Sequence, residues 1–116
     1  MKILVVDDDE HILRLYKDEL TEEGYEVVLA ANGQEALALF HKEDPDLVTL
    51  DIRLPDVDGI QLLRQMKEKK PRLPIIMSTA YDYRDDFSIW ASEAYIVKSS
   101  DLNELKATIK RLLRKE

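Results

Sequence analysis

The chain has no cysteine among its 116 residues, which excludes disulfides, thiolate metal sites and a cysteine nucleophile and is compatible with a reducing cytosol. It has only three glycines, Gly24, Gly33 and Gly59, too few to assemble a phosphate-binding loop or a dinucleotide fingerprint. Positive charge is not in excess either. The formal net charge of −7 argues against broad contact with nucleic acid or an anionic membrane, since both depend on clustered Lys and Arg. No apolar run approaches the roughly 20 residues of a membrane span, and Met1-Lys2 leads into a strand-like segment too short for a signal peptide. His11 and His41 have no partner at metal-ligand spacing and read as surface residues. These absences leave a soluble, cytoplasmic protein with one domain over residues 1–116, large enough to bury roughly two-thirds of its unfolded surface without staples.

What is present is a repeated alternation. Five short aliphatic runs, at residues 3–6, 27–30, 47–50, 75–77 and 95–97, are separated by charged segments. Their apolar residues are continuous rather than alternating with polar ones, the mark of strands covered on both faces by helices. The intervening segments carry helical stripes. Ile12, Leu13, Tyr16 and Leu20 form the first, ending near Gly24; Ala36, Leu37 and Phe40 form the second, after Asn32-Gly33 and before Pro45; Ile60, Leu63 and Met66 form the third. Leu102, Leu105, Ile109, Leu112 and Leu113 form the last, with Asp101 as expected N-cap and Glu104 three residues on, as in a capping box. The fourth helix, within residues 83–90, is weak by the same test. The order is (βα)5, and right-handed crossovers then predict a doubly wound, five-stranded parallel sheet with helices on both faces.

In such sheets ligands bind beyond the carboxyl ends of the strands, where strand order reverses. The stretch Asp7-Asp8-Asp9-Glu10 ends the first strand and Asp51 ends the third. Like carboxylates held close together destabilise one another, so such a run either awaits a cation or supplies acids to a helix start. For the strand order 2-1-3-4-5, strands one and three are neighbours, and Asp7, Asp8 and Asp51 converge on one crevice. Three carboxylates open to water suit a hard divalent cation, most plausibly Mg²⁺. Ser78-Thr79 and Lys98 follow the fourth and fifth strands to the same rim. A carboxylate nucleophile, a metal, a hydroxyl and a fixed ammonium together make a phosphoryl-transfer site.

Asp7-Asp8, Asp51 followed by Leu54-Pro55-Asp56-Val57-Asp58-Gly59, Thr79-Ala80, and Tyr95-Ile96-Val97-Lys98 resemble, over nearly the whole chain, the receiver domain of two-component response regulators. The resemblance implies a flavodoxin-like fold and a phosphorelay signalling switch. It implies that Asp51 takes a phosphoryl group from the phosphohistidine of a sensor histidine kinase or phosphotransfer protein. Mg²⁺ would be bound by Asp8, Asp51 and the backbone carbonyl of Arg53, with Asp7 acting through water. Thr79 would hydrogen-bond the phosphoryl oxygens, Lys98 would pair with them, and Tyr95 would turn inward with Thr79 as the switch. The output would be a changed surface of the fourth helix, fifth strand and fifth helix, read by an effector domain or partner protein. The chain would then be no enzyme beyond its own phosphorylation and dephosphorylation, and a monomer or weak dimer that works alone or was excised from a longer protein.

Three features depart from the family pattern. Ser99 stands where proline usually follows the lysine, so a trans Lys98–Ser99 peptide is expected. Ala91-Ser92 replaces a common Gly-Ala, and the interval from Thr79 to Lys98 is roughly three residues short, close to one helical turn. A short or irregular fourth helix, held by Phe87 or Trp90, is therefore expected. Two other functions are weighed against the switch. A Mg²⁺-dependent phosphohydrolase with Asp51 as nucleophile would ordinarily carry a second acid two residues later, where this chain has Arg53. A degenerate receiver acting only as a binding module conflicts with the complete acceptor chemistry. A calcium loop at Asp56-Val57-Asp58-Gly59 fails because a loop with its sixth-position glycine at Gly59 would need an acid at Leu54.

Overall fold

A computed structural model of the protein describes residues 1–79, 94–97 and 102–114, without the side chains of Thr79, Tyr95 and Val97. The expected fourth helix, Lys98 and its peptide to Ser99, and the side-chain roles given to Thr79 and Tyr95 lie outside the described residues.

Five strands, β1 (Lys2–Val6), β2 (Glu26–Ala30), β3 (Leu47–Leu50), β4 (Ile75–Thr79) and β5 (Ala94–Val97), form one sheet in the order β2-β1-β3-β4-β5. Every neighbouring pair is parallel. The helices are α1 (Glu10–Glu22), α2 (Gly33–Glu43), α3 (Gly59–Lys69) and α4 (Asn103–Leu113). The strand order is the expected 2-1-3-4-5, with β1 between β2 and β3 and β3 at the centre.

The continuous aliphatic runs are explained by two cores. Ile3 and Val5 of β1, Leu47 of β3 and Ile76 of β4 pack with Leu13, Tyr16 and Leu20 of α1 and Leu105, Ile109 and Leu112 of α4. The alternate residues Leu4, Val6, Val48, Leu50, Ile75 and Met77 pack with Ala36 and Phe40 of α2 and Leu62, Leu63 and Met66 of α3. Strand side chains alternate between faces, and because both faces are covered, both sets must be apolar. Each large aliphatic side chain so buried stabilises the fold by about 1.5–3 kcal/mol.

Helix ends follow local chemistry. Asn32 caps α2 by accepting from Glu35 N at 2.8 Å, and Gly24, at φ +95°, ends the turn after α1 in a conformation that side chains disfavour. α4 begins after Leu102, which holds the cap position with no side-chain cap hydrogen bond; Asp101, the expected N-cap, lies outside the described residues. Leu102 is buried against the α1–α4 core. Among the described residues no helix is long and apolar enough to cross a membrane.

Candidate functional site

The sheet carries its own ladder past the strand ends to the acidic residues. Asp7 N donates to Ala30 O and Asp51 N donates to Val6 O, both at 3.0 Å. Because β1 and β3 are adjacent with Val6 opposite Leu50, Asp7 and Asp51 are fixed as neighbours. One carboxylate oxygen from each of Asp7, Asp8 and Asp51 lies within 4.8 Å of the others. Asp7 and Asp51 are buried and Asp8 is exposed.

The run Asp7-Asp8-Asp9-Glu10 divides its labour by residue. Asp7 and Asp8 enter the cluster. Asp9 is the N-cap of α1, its carboxylate accepting from His11 N at 2.9 Å, and Glu10 occupies the first helical turn. The helix-start reading holds for Asp9 and Glu10, while Asp7 and Asp8 join Asp51 in a carboxylate cluster. Asp7 Oδ1 also accepts from Asp9 N at 2.9 Å, which ties the cluster to the helix start.

The chain after Asp51 makes a closed loop. Gly59 N donates to Ile52 O at 2.7 Å, Arg53 and Asp58 form a bridge, and Asp58 caps α3 by accepting from Ile60 N at 2.9 Å. Asp51 Oδ1 faces Arg53 N at 3.3 Å. Gly59 sits so close to the end of β3 that a Cβ there would overlap the Asp51 carbonyl oxygen. The loop tip reaches α2, where Asp56 accepts from Gly33 N at 2.8 Å and Gln34 N at 3.0 Å. The Gly33 amide, foremost, holds the Asp56 carboxyl below its ordinary range, with the Gln34 amide adding to it.

On the other face of β4, Ser78 is buried and its hydroxyl lies 2.8 Å from Tyr16 Oη of α1. Thr79 closes β4 opposite Val97, and Tyr95 pairs with Met77. The structure thus brings Asp7, Asp8 and Asp51 together and sets Arg53 in the adjoining loop, exposed. No sequence pattern points to the Tyr16–Ser78 bond, and Asp56 stands out in the sequence only as a motif residue. Its contact with α2 joins residues 23 apart, beyond the reach of any local pattern.

The donor set fits Mg²⁺: three carboxylates within one small volume offer hard oxygen ligands, one of them exposed and approachable from solvent.

Residues 3–110 match the response regulator receiver domain as a family. The chain belongs to that family. It is 39% identical over 117 residues to the alkaline phosphatase synthesis transcriptional regulatory protein PhoP of Bacillus subtilis, covering 98% of this chain and 49% of that protein. It spans about half the length of the curated relatives it matches first. The response regulator TrrA of Thermotoga maritima, solved in complex with Mg²⁺-BeF, superposes with a TM-score of 0.92 at 47% identity, over 96% of this chain and 97% of that one. TrrA in complex with the histidine kinase ThkA gives a TM-score of 0.91 at 48% identity, covering 97% of each chain. Residues 3–110 thus form a receiver domain of the two-component response regulators.

Proposed function

We propose that Asp51 is the phosphoacceptor of this receiver domain and that Asp8, Asp51 and the Arg53 backbone carbonyl hold Mg²⁺, with Asp7 acting through water. The observation that carries the reading is the convergence of Asp7, Asp8 and Asp51 within 4.8 Å at the carboxyl ends of two adjacent strands. When bound, Mg²⁺ supplies positive charge that offsets repulsion between the carboxylates and the incoming phosphoryl group.

A carboxylate oxygen of Asp51 forms the new bond to phosphorus as the phosphorus–nitrogen bond of a phosphohistidine breaks, its electron pair leaving with the imidazole. The buried position of Asp51 limits water access to the acyl phosphate, and the ladder bond from Asp51 N to Val6 O fixes the direction of approach. Thr79 takes the role of hydrogen-bonding the phosphoryl oxygens, Lys98 that of pairing with them, and Tyr95 that of following Thr79.

The phosphoryl donor on this reading is a histidine kinase or phosphotransfer protein, and the recipient of the signal is an effector domain or partner protein. Turnover is confined to the domain's own phosphorylation and dephosphorylation, in the cytoplasm. The full chain incubated with Mg²⁺ and acetyl phosphate should gain one phosphoryl group by intact-mass analysis, and Asp51→Asn should gain none. Equal labelling of both proteins would remove Asp51 from the mechanism.

A further inference from the structure

The loop that follows Asp51 is held at both ends by its own backbone, but its tip is held by another element. Asp56 Oδ1 accepts from Gly33 N at 2.8 Å and Oδ2 from Gln34 N at 3.0 Å. Gly33 and Gln34 are the first two residues of α2, whose amides have no partner within the helix. Asn32 serves the third residue, Glu35, at 2.8 Å. The capping of α2 is therefore shared between its own N-cap and a carboxylate from a distant loop, and the helix dipole favours negative charge at this place. The approach is close: a Cβ at Gly33 would overlap Val57 Cγ1 and lie 3.2 Å from Asp56 Oδ1.

The contact ties together the segments that follow β2 and β3, the two neighbours of β1. α2 follows β2, which pairs with β1 and so with the strand that delivers Asp7. The loop follows β3, which delivers Asp51. Arg53 lies between Asp51 and Asp56, bridged to Asp58. Fixing the tip on α2 thereby fixes the Arg53 backbone relative to both strand ends.

We propose that Asp56 is a positioning residue for cation binding: its carboxylate, held by the two amides that open α2, locks loop 52–58 and with it the Arg53 carbonyl beside Asp7, Asp8 and Asp51. The proposal rests on the cation-site reading above. A bidentate clamp of this kind lowers the cost of ordering the loop when the ion arrives, so its loss weakens binding without touching a ligand.

Isothermal titration of the full chain with Mg²⁺ at about 0.15 M ionic strength, where distant charges are largely screened, tests it with three variants. Asp56→Ala should raise the dissociation constant about fivefold, the factor that corresponds to about 1 kcal/mol. Asp56→Asn, which removes the same charge but keeps one acceptor for Gly33 N, should fall between Asp56→Ala and wild type. Asp46→Ala removes an equal charge and a comparable bond, from Lys2 N to Asp46 Oδ2 at 2.7 Å, at the opposite end of the sheet, and should leave the constant unchanged. Circular dichroism checks that each variant is folded, and if Asp56→Ala is not, the comparison of Asp56→Asn with Asp46→Ala decides. Unchanged binding in the folded Asp56 variants, or equal weakening by Ala and Asn, overturns the clamp while leaving the cation site standing. A wild-type chain that binds no Mg²⁺ overturns the cation site and the clamp together. Phosphoryl labelling at Asp51 is a separate readout, and its failure would not alter the Mg²⁺ comparison.

Discussion

Asp7 and Asp8 are adjacent in sequence yet do different work. Asp7 is buried and spends one carboxylate oxygen on Asp9 N, whereas Asp8 is exposed with its oxygen turned to the cluster. At 4.8 Å two like charges cost about 0.9 kcal/mol even at the dielectric of water. Without metal, removing Asp8 relieves that repulsion with no bond lost. Removing Asp7 relieves it but forfeits the bond to Asp9 N, worth about 1 kcal/mol or more for a charged acceptor. We therefore expect Asp8→Ala to melt above wild type in EDTA and above Asp7→Ala, while weakening Mg²⁺ binding more than Asp7→Ala does. Thermal melts and Mg²⁺ titrations giving the opposite ranking would reassign the direct ligand. The three acids were legible in the sequence because each ends an aliphatic run. The separate task of Asp9 was not, because four acids in a row look alike until the backbone turns into α1.

At the scale of elements, the two glycines that open α2 and α3 are close-packed for different reasons. A Cβ at Gly59 would overlap backbone atoms of Asp51 and Ile52, which the sheet holds in place. A Cβ at Gly33 would meet the Val57 side chain, in a largely exposed loop anchored to α2 through the Asp56 side chain, which yields more readily than sheet backbone. Overpacking against fixed backbone should cost about 3 kcal/mol and against a yielding loop about 1 kcal/mol. Urea unfolding should therefore rank Gly59→Ala well below Gly33→Ala in stability, and equal losses would mean that the loop is as rigid as the sheet. The elements themselves were readable from the sequence, since covered strands and amphipathic helices each leave a periodic record. Contacts between elements were not. The Tyr16–Ser78 bond joins residues 62 apart, and Leu102, at the start of α4, is buried in a core shared with β1 and α1.

Across the whole molecule the charges oppose one another, and pH separates them. With a formal net charge of −7, acidification first lowers general self-repulsion and so favours the folded state. Specific pairs act the other way. Lys2 hydrogen-bonds Glu43 at 2.9 Å, which holds the Glu43 carboxyl below its ordinary 4.5 and the Lys2 ammonium above its ordinary 10.5. The bond from Lys106 to Glu19 at 2.6 Å likewise raises Lys106. A carboxyl lowered by folding contributes stability that is present above its unfolded value and is lost as pH falls through its folded value. For Glu43 that loss begins near 4.5, and for Asp56 near 3.8. A lysine raised by folding contributes below 10.5 and loses the contribution only as pH climbs through its folded value. Between these limits the Lys2–Glu43 pair is fully charged. Comparing wild type with Glu43→Gln cancels the shared relief of net charge and isolates the pair. Near neutrality Glu43→Gln should melt below wild type. The gap should hold down to about pH 5 and close as pH falls below 4.5. A gap that persists unchanged at pH 3, read from thermal melts across the series, would show that Glu43 acts through packing rather than through its charge.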